Sequence, residues 1–315
     1  MELHDFCSTS RVVIVAGKGG VGKTTVTAAL ATVAARAGAS VLIVEVEGKS
    51  GIATSLGLAQ PLEYEEVEAR SGVRARTLTP DQALLEYLED RGLRRVSKRL
   101  VKSGALDVVA TAVPGMKDIL VLGKVKQLER EGTVDLLIID APAAGHAITF
   151  LMSARGLLDA VSVGPVRKQA EDVIEMLSDP ARCRVMLVTL PEETPVNELV
   201  DTAFALEDRV GVKLAPVVVN GVPGDLELAG ATASSDAEIA NVSVPAGDAS
   251  ALDAAAAFRH ERHELALEQA DRLAARLPLP QLRLPFLFGE IGPTDIDELA
   301  DALAAGIAAL PEPTS

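Results

Sequence analysis

Residues 12–25 read VVIVAGKGGVGKTT, and this stretch decides the fold. Residues 12–15 are all apolar and mostly β-branched, which is typical of a fully buried strand in a parallel sheet. A glycine-rich turn follows at once, and residues 24–37 then predict an alanine-rich helix that ends near Gly38. Residues 41–44 predict a second buried strand. The order strand, glycine loop, helix, strand is a basic unit of α/β folds.

The alternation of strands and helices continues along the chain and predicts an α/β fold with a doubly wound, mostly parallel sheet. Further strands are predicted at residues 136–139, 185–189 and 216–219, and later helices at residues 258–276 and 295–310. Residues 81–131 predict a helical insertion on one face of the sheet. Residues 224–257 are rich in Ala, Gly, Ser and Asp and predict a flexible loop. We expect a single domain over residues 1–315 that contains both segments.

Composition and charge restrict the class of protein. Hydrophobic residues make up 48% of the chain, and the core must be aliphatic because there are no Trp, two Tyr and six Phe. The formal net charge of −15 repels nucleic-acid phosphates and anionic lipids, so we expect neither as a partner. The first residues do not read as a signal peptide, and no run of about 18 apolar residues occurs. We therefore expect a cytoplasmic protein without stable membrane insertion.

The glycine-rich turn has the spacing of a phosphate-binding loop, or P-loop. Such a loop needs glycines so that backbone N–H groups can surround a phosphate, a lysine that reaches the β- and γ-phosphate oxygens, and a hydroxyl that ligates Mg²⁺. Lys23 and Thr24 stand at the lysine and hydroxyl positions, and the helix that follows favours phosphate at its N-terminus. The sequence therefore predicts a site for ATP and Mg²⁺. The residues expected to contact the phosphates are Gly17, Gly19, Gly20, Val21, Gly22, Lys23, Thr24 and Thr25.

An acidic residue at the end of a neighbouring predicted strand completes the expected metal site. Residues 135–140 read DLLIID, an apolar strand that ends in Asp140. A carboxylate at the carboxyl end of a strand beside a P-loop can hold Mg²⁺, usually through a water molecule. Asp140 is therefore predicted to hold the metal together with Thr24.

Lys18 is informative because an ordinary P-loop leaves this position unrestricted. A second lysine after the first glycine resembles the deviant Walker A group of ATPases. That group includes ArsA, the guided-entry ATPases that target tail-anchored proteins, the nitrogenase iron protein and the partition ATPases. Its signature lysine reaches across a dimer interface to the partner's nucleotide. The resemblance implies a dimer with ATP between two subunits, and it assigns Lys18 a catalytic role in trans.

Further segments resemble one branch of this group, the ArsA and guided-entry ATPases. Residues 140–146 read DAPAAGH and resemble the family's switch II segment, which senses the γ-phosphate. Residues 187–193 resemble the family stretch Val-Thr-Ile-Pro-Glu-Glu, and residues 217–220 match a strand whose terminal Asn recognises adenine. The resemblance extends over about residues 11–310. It implies an adenine site formed by Asn220, Pro285, Phe286 and Leu287.

The sequence is most similar to bacterial, actinobacterial-type paralogues called anion-transporting ATPases. Their switch I region reads Val-Glu-Val-Glu-Gly, as do residues 44–48. The targeting ATPases have an Asp there that positions the attacking water, so the resemblance gives this catalytic role to Glu47, with Glu45 as a nearby alternative. A misplacement near 1 Å at such a site can reduce the rate about a hundredfold. We therefore expect slow or partner-dependent hydrolysis, by a homodimer or by a heterodimer with a paralogous ATPase.

Several features of other family members are absent or altered. The Cys-x-x-Cys pair that holds zinc at the guided-entry dimer interface is missing. His260 and His263 have a spacing that permits zinc, but they read better as part of a charged helix. Cys7 and Cys183 are far apart in sequence, whereas arsenite binding in ArsA needs clustered thiols. Only five Met occur, which disfavours a Met-rich groove for hydrophobic clients.

One apolar set in the predicted insertion permits two interpretations. It is either a face that binds hydrophobic clients or a surface packed against the sheet, and we favour packing. The set comprises Leu84, Leu85, Leu88, Ile119, Leu120 and Leu122.

Two hypotheses describe the function. The first is an ATP-hydrolysing dimeric switch that couples ATP binding and hydrolysis to the binding or release of a protein client, which the sequence does not identify. The second is a nucleotide-binding regulatory or scaffold subunit with little hydrolysis of its own, which needs a paralogous partner. Tight ATP binding without turnover at any protein concentration is expected only of the second.

Overall fold

A mostly parallel sheet forms the centre of the protein, in a computed structural model that describes residues 1–46, 51–90, 92–95, 97, 99, 115–224 and 232–311. Its strands are β1 (Val12–Gly17), β2 (Val41–Val46), β3 (Val67–Arg70), β4 (Val73–Leu78), β5 (Leu136–Ala143), β6 (Cys183–Thr189), β7 (Lys213–Leu214), β8 (Val217–Val222) and β9 (Gln281–Pro285). Their order is β3–β4–β2–β5–β1–β6–β8–β9, with β7 beside β6. Only the β3–β4 pair among these strands is antiparallel. The predicted α/β fold with a mostly parallel sheet is confirmed.

Helices cover both faces of this sheet. They are α1 (Leu3–Cys7), α2 (Lys23–Arg36), α3 (Gly51–Ser55), α4 (Pro80–Asp90), α5 (Met116–Glu131), α6 (Ala144–Ala160), α7 (Pro165–Ser178), α8 (Glu193–Ala205), α9 (Ala233–Ile239), α10 (Ala246–Arg276) and α11 (Pro293–Ala308), and a π-helical turn, Leu206–Val210, extends α8. Helices α1, α2, α3 and α11 pack on one face, and α5 to α8 pack on the other. None of the described helices has the length and apolar character needed to cross a bilayer.

Strand β1 supplies the core on both faces of the sheet, because successive side chains of a strand point in opposite directions. Ile14 and Ala16 join the core under α5 to α8, and Val15 joins the core under α2 and α11. The chain crosses from one side of β1 to the other between β5 and β6. The carboxyl end of β1 is therefore a switch point of the topology, the place where open parallel sheets bind ligands.

The segment predicted as a helical insertion contains α4 and α5, and most residues between them lie outside the described residues. Helices α4 and α5 pack together through Ala83, Leu84 and Leu120, with Leu88 partly buried against them. The remaining members on α5, Ile119 and Leu122, are buried in the main core. Four of the six members are therefore buried, as favoured above, whereas Leu85 and Leu88 are partly exposed. The boundaries of the insertion as a subdomain stay a prediction.

The segment predicted as a flexible loop is largely helical. It contains α9, and α10 begins at Ala246 rather than at the expected residue 258. A capping box starts α9, in which Ser235 N donates to Thr232 Oγ1 at 3.2 Å. The loop prediction gave too much weight to Gly and Ser, whereas Ala, the best helix former, dominates residues 249–257. Residues 225–231 lie outside the described residues.

A charged network joins the α4–α5 pair to the edge of the sheet. On α4, the Glu86 carboxylate accepts hydrogen bonds from Lys124 of α5, at 2.6 Å, and from the Tyr64 hydroxyl. The Arg76 guanidinium of β4 lies 4.3 Å from the centre of the Tyr64 ring. Burial raises the pKa of the Glu86 carboxyl, but the bonds from Lys124 and Tyr64 outweigh it, so the pKa lies below its usual range. Glu86 therefore stays ionised, and the three elements are held together.

Phe150→Ala tests the packing of α6 on the sheet. Phe150 is among the largest fully buried side chains, so its truncation should lower the free energy of unfolding by about 3–5 kcal/mol. Phe288→Ala is the control, because that ring is 77% exposed; it should lower the free energy by less than about 1 kcal/mol. Denaturant unfolding followed by circular dichroism measures both values. Equal losses in the two variants would contradict the packing described.

Candidate nucleotide-binding site

The loop between β1 and α2 is packed so closely that its glycines cannot be replaced without displacement. Gly20 and Gly22 have φ angles of +85° and +88°, in the left-handed region that favours glycine. A Cβ on Gly17 would lie 2.3 Å from Val188 O of β6, and one on Gly22 would lie 2.2 Å from Asn220 Nδ2 of β8. The motif glycines at positions 17 and 22 are therefore needed by the surrounding strands as well as by a phosphate.

Val21 fixes the centre of the loop. Its side chain is 1% exposed and belongs to the core beneath α2. Its carbonyl oxygen accepts a hydrogen bond of 3.0 Å from Asn220 Nδ2. Asn220 therefore holds the P-loop in place, a contact that the sequence did not predict for this residue.

The two lysines of the loop point to different acceptors. Lys23, the first residue of α2, donates from Nζ to Lys18 O at 3.1 Å and so lies across its own loop. The side chain of Lys18 leaves the loop, and its Nζ lies 2.7 Å from Glu198 Oε1 on α8. Both partners of this ion pair are partly exposed, 43% for Lys18 and 44% for Glu198. Only Lys23 therefore lies where the phosphates of the same subunit are expected.

The two side chains predicted to hold the metal are in contact. Thr24 Oγ1 donates to Asp140 Oδ2 at 2.7 Å. Asp140 is buried in β5 and stands opposite Val15 of β1. One hydroxyl and one carboxylate fit Mg²⁺, which keeps several waters and takes one or two protein carboxylates. In the part of the chain that the structure describes, no group of three or more His, Cys, Asp and Glu is placed to hold a metal.

Of the two candidate carboxylates in switch I, the structure describes only Glu45. Glu47 lies outside the described residues, together with residues 48–50. Glu45 is 1% exposed, pairs with Asp140 across the β2–β5 register, and accepts a hydrogen bond from Ile52 N at 3.3 Å. Gly51 lies against Thr24, since a Cβ on Gly51 would be 2.9 Å from Thr24 Cγ2. Glu45 and Gly51, on either side of residues 47–50, therefore lie beside Asp140 and Thr24, the two residues predicted to hold Mg²⁺.

A cavity with aromatic walls lies at the carboxyl ends of β8 and β9, and of the four residues predicted to bind adenine only Phe286 lines it. Pro285 ends β9, and Phe286 N donates to Val222 O of β8 at 2.9 Å. The cavity has a volume of about 510 Å³, and the rings of Phe286 and Phe288 meet edge to face at 5.1 Å on its wall. Its lining residues are Pro223, Gly224, Ala255, Phe258, Arg259, Arg262, Phe286 and Phe288.

The α10 side of this cavity was missed by the sequence analysis. Phe258, Arg259 and Arg262 lie on a helix that the sequence identifies only as charged, and no motif marks them. Leu287, predicted beside Phe286, follows β9 and is partly buried. One aromatic residue, Phe258, beside the basic residues Arg259 and Arg262 was the available signal.

Side chains considered for other ligands lie outside this site. Cys7 and Cys183 are buried on opposite faces of the sheet, and burial raises the pKa of the Cys7 thiol to about 11 and that of Cys183 to about 12. The thiolate is the form that binds soft ligands, so neither cysteine is suited to arsenite. His263 Nδ1 lies 2.7 Å from Pro223 O and is engaged with the backbone. His260 lies on the same helix, and no group of three or more potential metal ligands occurs there within the described residues.

Comparison with known proteins identifies the family of this chain. A family model described as anion-transporting ATPase matches residues 10–163, which include the P-loop and Asp140. ATPase BagA of Mycobacterium tuberculosis is 32% identical, over 93% of this chain and 92% of its own length. The chain belongs to the ArsA family of ATPases. It is therefore an ATPase, as the sequence predicted.

More distant relatives of this ArsA-family ATPase are matched over shorter stretches. The arsenical pump-driving ATPase of Acidiphilium multivorum is 28% identical, over 67% of this chain and 39% of its own length. ATPase get3 of Schizosaccharomyces japonicus is 27% identical, over 44% of this chain and 42% of its own length. These names identify the ATPase family and leave the partner of this protein open.

Gly22→Ala should weaken ATP binding more than Gly20→Ala. Both residues have a positive φ, so either alanine introduces strain of about 1–2 kcal/mol. Nothing lies within 4 Å of a Cβ on Gly20, whereas a Cβ on Gly22 displaces the Asn220 amide that holds Val21. We expect about a further tenfold loss of affinity in Gly22→Ala, the equivalent of one lost hydrogen bond. Isothermal titration with ATP measures both constants, and equal affinities would contradict a role for the Asn220 contact.

Proposed function

We propose that this ATPase is a dimeric molecular switch, in which ATP binding and hydrolysis between two subunits control the binding or release of a protein partner. The observation that carries the proposal is the divergence of the two P-loop lysines. Lys23 lies across its own loop, whereas Lys18 extends to the outer edge of the site beside α8. A lysine that leaves its own phosphate cradle is suited to serve the nucleotide of a second subunit.

Within one subunit, the residues around the P-loop position the phosphates. Lys23 donates from Nζ to the β- and γ-phosphate oxygens, and Thr25, in the first turn of α2, reaches the α-phosphate. Thr24 and Asp140 would hold Mg²⁺, with Asp140 acting through a bound water. Bound Mg²⁺ neutralises charge on the phosphate oxygens. Because phosphoryl transfer is catalysed mainly by positioning and electrostatics, the rigid placement of these residues on β5 and α2 supports hydrolysis at this site.

We propose that switch I orients the water that attacks the γ-phosphate. Glu47 would orient this water, and Glu45 would hold the neighbouring backbone in place. Glu45 is buried and accepts a hydrogen bond from Ile52 N, so its side chain fixes the start of α3 beside Thr24. Gly51, which follows switch I, therefore lies beside Thr24, one of the two residues predicted to hold Mg²⁺.

The aromatic cavity at β8 and β9 is proposed to hold adenine. The faces of Phe286 and Phe288 offer apolar surface for the base. The Asn220 amide nitrogen already donates to Val21 O, which leaves the side-chain oxygen as the natural acceptor for the amino group of adenine. Pro285 and Leu287 flank Phe286 in this loop. The cavity volume of about 510 Å³ is in the range of small-molecule sites.

The same edge of the protein is proposed to form part of the dimer face. Large apolar side chains stand exposed there, with Phe258 66%, Phe286 50% and Phe288 77% accessible. Exposed apolar groups that cluster beside a functional site commonly mark an interaction surface. The second subunit is either another copy of this chain or a paralogous ATPase. For the protein client, the net charge of −15 favours a basic surface.

The two lysine variants test catalysis across the dimer. Lys23→Ala should lose ATP binding, and Lys18→Ala should bind ATP but lose turnover. Mixing the two inactive variants should restore about one quarter of the wild-type rate, since random pairing gives half mixed dimers with one complete site each. Phosphate release from Mg-ATP, measured against protein concentration, reports both effects.

Three results would oppose this assignment. Normal turnover by Lys23→Ala would refute the site, and normal turnover by Lys18→Ala would refute catalysis in trans. ATP binding without turnover by the wild type at every concentration would instead assign the protein as a regulatory subunit that needs a paralogue.

Asp140→Asn tests the metal site, with Asp135→Asn as its control. Asp140 lies within β5, whereas Asp135 precedes the strand at its other end and accepts hydrogen bonds from the backbone N–H and the hydroxyl of Ser40. Asp140→Asn should reduce Mg²⁺-dependent turnover by about a hundredfold or more, because the charge that holds the metal is lost. Asp135→Asn should remain within about twofold of the wild type. Phosphate release across a Mg²⁺ titration measures both rates, and equal losses would argue against metal binding at Asp140.

A further inference from the structure

The contact between Lys18 and Glu198 joins parts of the chain that are 180 residues apart. Its two charged atoms, Lys18 Nζ and Glu198 Oε1, are separated by 2.7 Å. Glu198 lies on α8, which is fixed on the sheet by buried side chains on either side of it, Val196 and Leu199. Helix α8 therefore presents the Glu198 carboxylate at a defined place beside the P-loop.

Lys18 has one ammonium group, and under the function proposed above two acceptors compete for it. One acceptor is Glu198 in its own subunit, and the other is the nucleotide of a second subunit. The ammonium cannot occupy both positions at once. We propose that Glu198 is a positioning residue that retains Lys18 in its own subunit and so opposes assembly of the catalytic dimer. This inference rests on the proposed function, because it concerns the same lysine.

The exposure of the pair suits a reversible contact. Both side chains are a little over 40% exposed, and ion pairs of this kind shift equilibria by about two- to fivefold. A contact of that strength is easily exchanged for the phosphates of a second subunit, which carry more negative charge. The Lys18–Glu198 pair therefore sets the protein concentration at which dimers form, and it leaves the rate of the assembled dimer unchanged.

Helix α8 offers a matched control for this pair. Asp201 lies one turn beyond Glu198, and its side chain is exposed. Glu198→Gln and Asp201→Asn change the net charge by the same amount on the same helix. Only the first removes the charge that faces Lys18.

The first measurement tests the contact without nucleotide. Acetic anhydride labels exposed lysine amines, and tandem mass spectrometry separates the labelling of Lys18 from that of Lys23. Glu198→Gln should label Lys18 about two- to fivefold faster than the wild type and Asp201→Asn do, because the ammonium is released. An equal rate of Lys18 labelling in all three proteins would overturn the inference.

The second measurement tests the consequence for activity. Phosphate release is followed against protein concentration for the wild type and both variants. The half-maximal concentration of Glu198→Gln should be about four- to twenty-fivefold lower, because each of the two subunits must release its Lys18 when the dimer forms, and the plateau should be unchanged. Asp201→Asn should match the wild type. Added salt should reduce the difference, since it screens a partly exposed pair.

The outcomes separate this inference from the function on which it rests. A wild-type rate that rises with concentration, together with an unshifted Glu198→Gln midpoint, overturns the role of Glu198 alone. A plateau changed by Glu198→Gln also overturns it, because the residue then acts in catalysis. A wild-type rate per subunit that is independent of concentration overturns the dimeric function and this inference together.

Discussion

The close approach of β1 to β6 is the constraint on which the site depends. Gly17 pairs with Val188 in the parallel register, and the Val188 carbonyl fills the space that a side chain at position 17 would need. The chain can therefore turn sharply over β6 and enter α2. Asn220 of β8 then closes the loop from the next strand through Val21. The shape of the phosphate cradle thus belongs to three adjacent strands, and the loop alone does not define it.

The parts of the fold that were predictable are those with a simple burial pattern. Strands β1, β2, β5, β6 and β8 are buried on both faces, so each one reads as an apolar run. Strands β3 and β4 were missed because charged residues alternate with the others in their sequences, VEAR and VRARTL. Strand β3 lies at the edge of the sheet and β4 is second from it. The helices at residues 233–257 were missed for the opposite reason. Their small residues resemble a loop when the partner surface is unknown.

The features of the site likewise fall into those predictable from local sequence and those that depend on residues far apart in the chain. The P-loop lysines and Thr24 are local features with fixed spacing, and Asp140 follows from the strand that precedes it. The contact of Lys18 with Glu198 and the cavity wall on α10 depend on residues far apart in sequence. No periodicity or motif reports such a pairing in one sequence. Tertiary placement alone brings a surface glutamate of α8 beside a lysine of the P-loop.

The network around Glu86 joins helices α4 and α5 to the strands beside them. Arg76 and Lys124 fix α4 and α5 to β4, and Thr77 of β4 donates to Glu45 O at 3.2 Å on the neighbouring β2. Glu45 in turn stands opposite Asp140. A shift of β2 at this end of the sheet would therefore move β4, α4 and α5 together, because these contacts link them. Under the proposed function, a partner bound to α4 and α5 would therefore move with both helices together.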